Sequence, residues 1–223
     1  MDKQSKMILL QQVGCGSSGL GHASKMPCAT YSLPASRCIV GQKLAKVAGS
    51  VCEGCYADGR GNYRWSSVQH RLNERWKSIQ NAEWVPAMIE LIRTERNPYF
   101  RWHDSGDLQS VDHLDKINQI ALALPEVKFW LPTRELGIVQ SWLKQNEPAP
   151  NLIIRLSTHM INQRHVGRVV TKAGRRLPVS YVHTGVAARV KGTNVCPAPK
   201  QDGKCADCRN CWDDTKDVSY AKH

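Results

Sequence analysis

Between Tyr99 and Val182 the chain alternates short apolar runs with stretches of helical periodicity, and few folds satisfy that alternation. Tyr99-Phe100-Arg101-Trp102, Val127-Lys128-Phe129-Trp130-Leu131, Leu152-Ile153-Ile154-Arg155-Leu156 and Pro178-Val179-Ser180-Tyr181-Val182 have the length and the β-branched or aromatic content of strands. Val111, Leu114, Ile117, Ala121 and Leu124 recur at helical spacing after the first run, and a helix from about Leu136 to Lys144 comes after the second. Such alternation implies βα units and a parallel sheet, open or partly closed as a barrel. Upstream, Ser66 or Ser67 caps a helix running to about Gln80, and Trp84 to Arg93 forms another with Pro86 tolerated in its first turn. Residues 14–37, rich in Gly, Ser, Ala and Pro, read as an irregular lead-in.

Each predicted strand runs into a polar segment: His103-Asp104-Ser105-Gly106-Asp107, Pro132-Thr133-Arg134-Glu135, Ser157-Thr158-His159 and His183-Thr184-Gly185. In parallel α/β folds these tips share one rim, where ligands bind. Thr133, Arg134, Glu135, His159 and His183 are therefore candidates for lining a catalytic mouth and holding substrate. Plainer roles exist for the same positions: Asp104 or Ser105 as a helix cap, Arg134 and Glu135 as a rim pair, the histidines as half-buried packing groups.

The cysteines add chemistry. The first residues are polar and the apolar run Met7 to Leu10 is too short for a signal sequence or a membrane span, which points to the cytoplasm. Nine cysteines in that reducing compartment suggest metal binding or catalysis and argue against disulfides. Cys205, Cys208 and Cys211, each two residues apart, wrap a short loop around one centre as in bacterial ferredoxin runs, and Cys196-Pro197 supplies a distant fourth ligand. Structural zinc usually takes two separated pairs, so the consecutive triplet favours a four-iron cluster over zinc. Trp212 either shields that cluster or simply packs. Cys52 and Cys55 form a second pair, with Cys38 upstream as a third ligand and Cys28 and Cys15 as alternatives for that place. Three thiolates on a four-iron cluster leave one iron open. The chain divides accordingly into an α/β unit with its cluster-binding loop, 1–190, and a cysteine-rich extension, 191–223.

Lys and Arg number 31 against 19 Asp and Glu, a formal charge of +12. Ligating thiolates on two clusters would bring this to about +9, still strongly basic. Such a surface attracts polyanions, of which nucleic acid is the commonest in a cytoplasm; solubility is the alternative use. Arg60, Arg64, Arg71 and Arg75 with Tyr63, Trp65 and Trp76, and farther on Arg164, Arg168, Lys172, Arg175 and Arg176, offer phosphate contacts and stacking faces, or a solvated helix face.

Tyr31-Ser32-Leu33-Pro34-Ala35, Cys38, Cys52-Glu53-Gly54-Cys55-Tyr56-Ala57, Arg101-Trp102-His103-Asp104-Ser105-Gly106-Asp107, Cys205-Ala206-Asp207-Cys208-Arg209-Asn210-Cys211-Trp212 and the terminal His223 give the chain a resemblance, over most of its length, to the phage gene product 88 family. That family is similar to other phage three-cysteine proteins related to the radical S-adenosylmethionine (SAM) fold. The resemblance implies a partial (β/α) barrel of radical SAM type with a C-terminal iron–sulfur extension. It implies that Cys38, Cys52 and Cys55 hold a [4Fe-4S] cluster that binds SAM, although thirteen residues separate the first two where the usual motif has three. Tyr56 would lie at the cofactor, and Ser105, Gly106 and Asp107 would stand in for the Gly-Gly-Glu segment that meets its methionine amino group. Cys196, Cys205, Cys208 and Cys211 would hold a second [4Fe-4S] cluster.

The activity so implied is a radical SAM enzyme acting on nucleic acid or a modified nucleotide, phage DNA hypermodification being one such reaction. It would work in the cytoplasm of an infected bacterial host, without a membrane, on electrons from a flavodoxin or ferredoxin. The competing expectations are a non-enzymatic iron–sulfur module that binds nucleic acid or a host protein, and a zinc knot without redox chemistry.

Overall fold

A computed structural model describes residues 2–164 and 167–222; His223 lies outside them. Among the described residues seven strands form one sheet in the order β1-β2-β3-β4-β5-β7-β6. They are β1 (Thr30–Tyr31), β2 (Tyr99–Trp102), β3 (Lys128–Thr133), β4 (Leu152–Ser157), β5 (Val179–His183), β6 (Asn194–Val195) and β7 (Val218–Ala221). Every pairing among them is parallel. The sheet is open, with β1 and β6 at its edges, and only the last two strands break sequential order.

Six α-helices accompany it among the described residues: α1 (Lys3–Gln12), α2 (Ile39–Leu44), α3 (Ser66–Ser78), α4 (Trp84–Thr94), α5 (Val111–Ala123) and α6 (Leu136–Leu143). In α5 the Ser110 side chain accepts a hydrogen bond from the His113 N–H, Asp112 occupies the first turn, and Leu114, Ile117, Ile120 and Ala121 make the buried stripe. In α4, Pro86 falls in the first turn, where its missing N–H leaves no intrahelical bond unmade, and Trp84, Ala87, Met88, Leu91 and Ile92 are buried. No helix among the described residues is long and apolar enough to cross a membrane.

Strand alternation then separates two surfaces. Phe100 and Trp102 of β2, Phe129 and Leu131 of β3, Leu152, Ile154 and Leu156 of β4, and Val179 and Tyr181 of β5 join residues of α1, α4, α5 and α6 in one continuous core. The intervening positions, among them Arg101, Trp130, Ser157, Ser180 and Tyr220, face a cleft on the other side. The helical face is therefore dry, and the opposite face carries polar, aromatic and cysteine side chains.

The segment from 191 onward is woven into this sheet: β7 pairs β5 directly, and the cysteine loop forms the connection between β6 and β7. The expected irregular lead-in contains the edge strand β1, whose partner is β2. It also contains Cys15, fully buried in the main core.

Candidate cysteine-lined cleft

Cys38 ends a short 3-10 turn and starts α2, whose exposed first N–H groups need an acceptor. Glu135 supplies it, its Oε1 accepting from the Val40 N–H at 2.7 Å. A Cβ placed on Gly41 would lie 2.8 Å from the Cys38 Cβ, 3.6 Å from its Sγ and 3.8 Å from the Cys52 Sγ. The two sulfurs thus converge over a position that only glycine leaves open. The Cys52/Cys55 turn is held by Ser50, whose hydroxyl donates to Leu44 O at 2.6 Å and accepts from the Glu53 N–H at 3.0 Å. Val51 N–H donates to His159 O at 2.9 Å, fastening the turn to the tip of β4.

Burial pushes the Cys38 thiol up, and so do Asp107, Cys55, Cys52 and Glu135 around it. Burial likewise raises Cys52, against the opposing pull of the Arg134 guanidinium. Cys38 thus lies with Cys52 and Cys55 beside the carboxyl groups of Asp107 and Glu135, and burial together with these acids favours its protonated thiol. Cys38 is the third member of this group. Cys15 lies instead beside Arg75 and Arg71, and Cys28 beside Cys205 and Arg101.

The second group gathers on the other side. Cys196 N–H donates to Ser219 O, and Cys205 N–H to Lys25 O, both at 2.9 Å. Cys196 is raised first by burial and then by Cys205 and Cys208, and Cys211 is pushed up to about 11 by burial. The Cys211 sulfur is 3.1 Å from the Tyr220 hydroxyl. Trp212 donates from Nε1 to Phe100 O at 2.9 Å and meets Tyr99 and Trp130 edge-on, so it roots the loop in the sheet. Arg155, fully buried, donates to the carbonyls of Asn210 and Lys216 at 3.1 Å, and also to those of Val179 and Asp213. No group of three or more His, Cys, Asp or Glu side chains among the described residues is arranged to hold a metal ion.

Both cysteine groups line one cleft of about 450 Å³, with Cys38, Cys52 and Cys55 along one part of its wall and Cys196, Cys205 and Cys211 along another. Arg101 lies on the strand face of that cleft. Its guanidinium is 4.5 Å from the centre of the Trp130 ring, its Nη1 approaches Met26 Sδ at 3.5 Å, and its charge opposes the raised thiols of Cys28, Cys205 and Cys211. Among the lining residues several buried polar atoms have no hydrogen-bond partner among the described residues: Nε of Arg101 and Arg134, both ring nitrogens of His103, Oδ1 of Asp104, Nε1 of Trp130 and Oγ of Ser180. Buried donors and acceptors are rarely left unpaired, so their concentration here suits a polar ligand.

The rim residues singled out in the sequence divide. Arg134 and Tyr56 line the cleft, and the Tyr56 hydroxyl donates to Asp104 O. Ser105, Gly106 and Asp107 line it too, but with their polar groups turned into the protein. Ser105 Oγ donates to Leu33 O at 2.5 Å, and the Asp107 carboxylate accepts from Thr133 Oγ1, Leu108 N–H and Arg134 N–H at 2.6, 2.7 and 2.9 Å. Thr133 also accepts from the Glu135 N–H at 3.0 Å, which makes Asp107, Thr133 and Glu135 a bracket joining the tips of β2 and β3 to α2. Thr133, Arg134 and His159 share a second cavity of about 140 Å³. His183 lines neither; its Nδ1 is 2.6 Å from Ser219 Oγ and its Nε2 accepts from Arg189.

Arg101, Arg155 and Tyr220 were not among the sequence candidates. The signal for the two arginines was present, because each is a cation inside an otherwise apolar strand. No curated protein and no solved structure is similar enough to match. The model of one family, gene product 88, matches residues 4–214, nearly the full chain with both cysteine groups, and on that match the chain belongs to the gene product 88 family.

Proposed function

We propose that this protein is an iron–sulfur enzyme of the radical SAM kind that acts on nucleic acid or a modified nucleotide. In this reading Cys38, Cys52 and Cys55 hold a [4Fe-4S] cluster with one open iron that takes SAM. Cys196, Cys205, Cys208 and Cys211 hold a second. The observation that carries the reading is the convergence of two cysteine groups, distant in sequence, on one cleft walled by strand tips. The one-sided helical layer and nearly sequential strand order suit a partial barrel whose concave face holds the reaction.

Cys38, Cys52 and Cys55 would hold the N-terminal cluster, which would supply one-electron chemistry toward SAM and, through it, hydrogen abstraction from substrate. The chain's own part is placement and exclusion of water. Glu135 and Gly41 fix the Cys38 turn, and Arg134 brings positive charge to Cys52. The unpartnered atoms of His103, Asp104, Arg101 and Ser180 offer hydrogen bonds to a polar cofactor. Trp130, Pro132 and Val182 give the wall its apolar share. Tyr220 contacts the Cys211 sulfur, one of the levers by which a protein sets cluster potential.

Anaerobic purification with iron and sulfide analysis tests this. The wild type should carry two clusters' worth, and Cys38→Ala and Cys208→Ala should each lose half. Dithionite and SAM should release 5′-deoxyadenosine from the wild type and from Cys208→Ala but not from Cys38→Ala. A colourless protein with stoichiometric zinc, or one whose thiols all react with a labelling reagent, would overturn the proposal.

A further inference from the structure

The segment that leaves the N-terminal cysteine turn, residues 56–65, begins in the wall of the cleft, which Tyr56, Ala57 and Asp58 line, and it exposes large aromatic side chains. Tyr56 is 59% exposed and Trp65 55% exposed, in a chain whose Trp84, Trp102 and Trp142 are wholly buried. Tyr63 lies between them, its ring 5.8 Å from that of Tyr56 and nearly edge-on; burial and the neighbouring Asp104 raise its phenol. Arg64 stacks its guanidinium over the Trp65 ring at 4.9 Å. Arg60, also exposed, reaches back to the cysteine turn, 3.4 Å from where a Cβ on Gly54 would be. Asp58 is the one acid in the segment.

The rest of the basic stretch is used differently. Arg75 is 6% exposed and donates to Gly19 O at 2.9 Å. Trp76 donates from Nε1 to Gln109 and is covered by Arg37 at 4.0 Å. Arg71, half-buried, packs its guanidinium against Gly16, so Arg75, Trp76 and Arg71 are used within the fold and Arg60, Arg64 and Trp65 face solvent.

We infer that residues 56–65 form a ledge for single-stranded nucleic acid, with an unpaired base stacked on Trp65, phosphates paired with Arg60 and Arg64, and the chain led past Tyr63 and Tyr56 toward the cleft. Stacking faces alternating with guanidinium groups are what an unpaired strand offers partners for, and the formal charge of +12 is complementary to its backbone. A duplex hides its bases in the stack and presents no face to Trp65. The inference deepens the proposed function by naming the form of its substrate, and it rests on that reading only for where the strand leads.

The test uses the full chain purified without oxygen and fluorescein-labelled oligonucleotides of about 12 nucleotides, as DNA and RNA single strands and as the matching duplex, with anisotropy read at several salt concentrations. A single strand of one or both kinds should bind more tightly than duplex, and more weakly as salt rises. Trp65→Ala should weaken binding by about tenfold, the order expected from losing one base stack. Arg64→Ala should flatten the slope of log affinity against log salt by about 0.7 for the lost phosphate contact. Both side chains are exposed, so iron and sulfide content should stay at the wild-type value. Equal binding of duplex, or wild-type affinity in Trp65→Ala, overturns the ledge. If SAM is cleaved but no strand binds, the ledge falls and the enzyme reading stands; if strands bind through Trp65 but iron is lacking, the reverse holds.

Discussion

Glu135, at the tip of β3, accepts a 2.7 Å hydrogen bond from the Val40 N–H and so fixes the start of the helix that begins after Cys38. Burial raises its carboxyl, against the hydrogen bonds from Val40 and Ile39. A raised acid pKa means that ionisation costs stability, so this group's penalty is absent below the ordinary carboxylate range and fully present above the raised value. Glu135→Gln keeps the acceptor and removes the charge, and its melting temperature at neutral pH should equal or exceed that of the wild type. Glu135→Ala leaves the helix uncapped and should cost about 1 kcal/mol. A glutamine variant that melts like the alanine variant would show that the charge, and not the acceptor, matters.

Gly106 and Gly137 should respond in opposite directions to alanine. Gly106 has φ +80°, and a Cβ there would lie 2.5 Å from the Leu33 Cβ and 2.8 Å from its carbonyl oxygen. The left-handed backbone alone disfavours alanine by about 1–2 kcal/mol, and the clash adds to it. Gly106→Ala should therefore melt at least about 5 °C lower. Gly137 is an exposed position of α6 with nothing within 4 Å of an added Cβ. There alanine should stabilise by about 0.5–1 kcal/mol through helix propensity. Calorimetry of the two variants side by side checks both signs.

The elements legible in the sequence were those whose own residues carry the pattern. β2 to β5 announce themselves by apolar runs and α3 to α6 by periodicity, but the expected serine cap of α3 is absent: Ser66 is its first residue and Trp65 stands at the cap without a side-chain hydrogen bond. α1 does not announce itself, because only Leu10 of it is buried and its Asp2 cap precedes a polar stretch. β1 and β6 are two residues long, and Val218-Ser219-Tyr220-Ala221 becomes a strand through its pairing with β5. The Cys52/Cys55 pair and the C-terminal triplet stand out by spacing, but spacing leaves Cys38 open against Cys28 and Cys15, and it does not show the two groups meeting in one cleft. Glu135 and Thr133 looked like catalytic groups from their strand-tip position, and their partners explain their bracing role: Glu135 pairs with a residue 95 positions away. Contacts of that range leave no local trace.

Arg155 ties the C-terminal cysteine loop to β4 through carbonyls alone, so its removal should loosen that loop before anything else. Arg155→Met removes the donor from the carbonyls of Asn210, Asp213 and Lys216, whose bonds to it are partly buried, at a cost of about 1–3 kcal/mol. Limited proteolysis should then cut between β6 and β7 first, while cleavage elsewhere stays at the wild-type rate. Uniform acceleration of all cuts would mean that the arginine supports the whole sheet and not the loop.

Two buried histidines should make the fold sensitive to acid. His103 is 3% exposed with φ +56°, and its ring stands 5.4 Å from that of the fully buried His113. Burial holds His103 well below the ordinary histidine value and His113 down to about 3. His113 Nδ1 accepts from the Gln109 N–H at 3.3 Å, a bond that protonation of that nitrogen would end. Both rings are thus neutral in the native state, whereas the unfolded chain takes up protons near pH 6.5. Their contribution is fully present above that value and is lost as pH falls toward the depressed native pKa values. Well below pH 6.5 each should remove about 1.4 kcal/mol per pH unit. Urea midpoints measured from pH 7.5 to 5 should fall accordingly, and His113→Asn, which keeps an acceptor for Gln109 and cannot titrate, should fall less steeply by one histidine's share. Midpoints that hold level down to pH 5, or a variant that declines as steeply as the wild type, would mean that these rings are protonated in the folded chain.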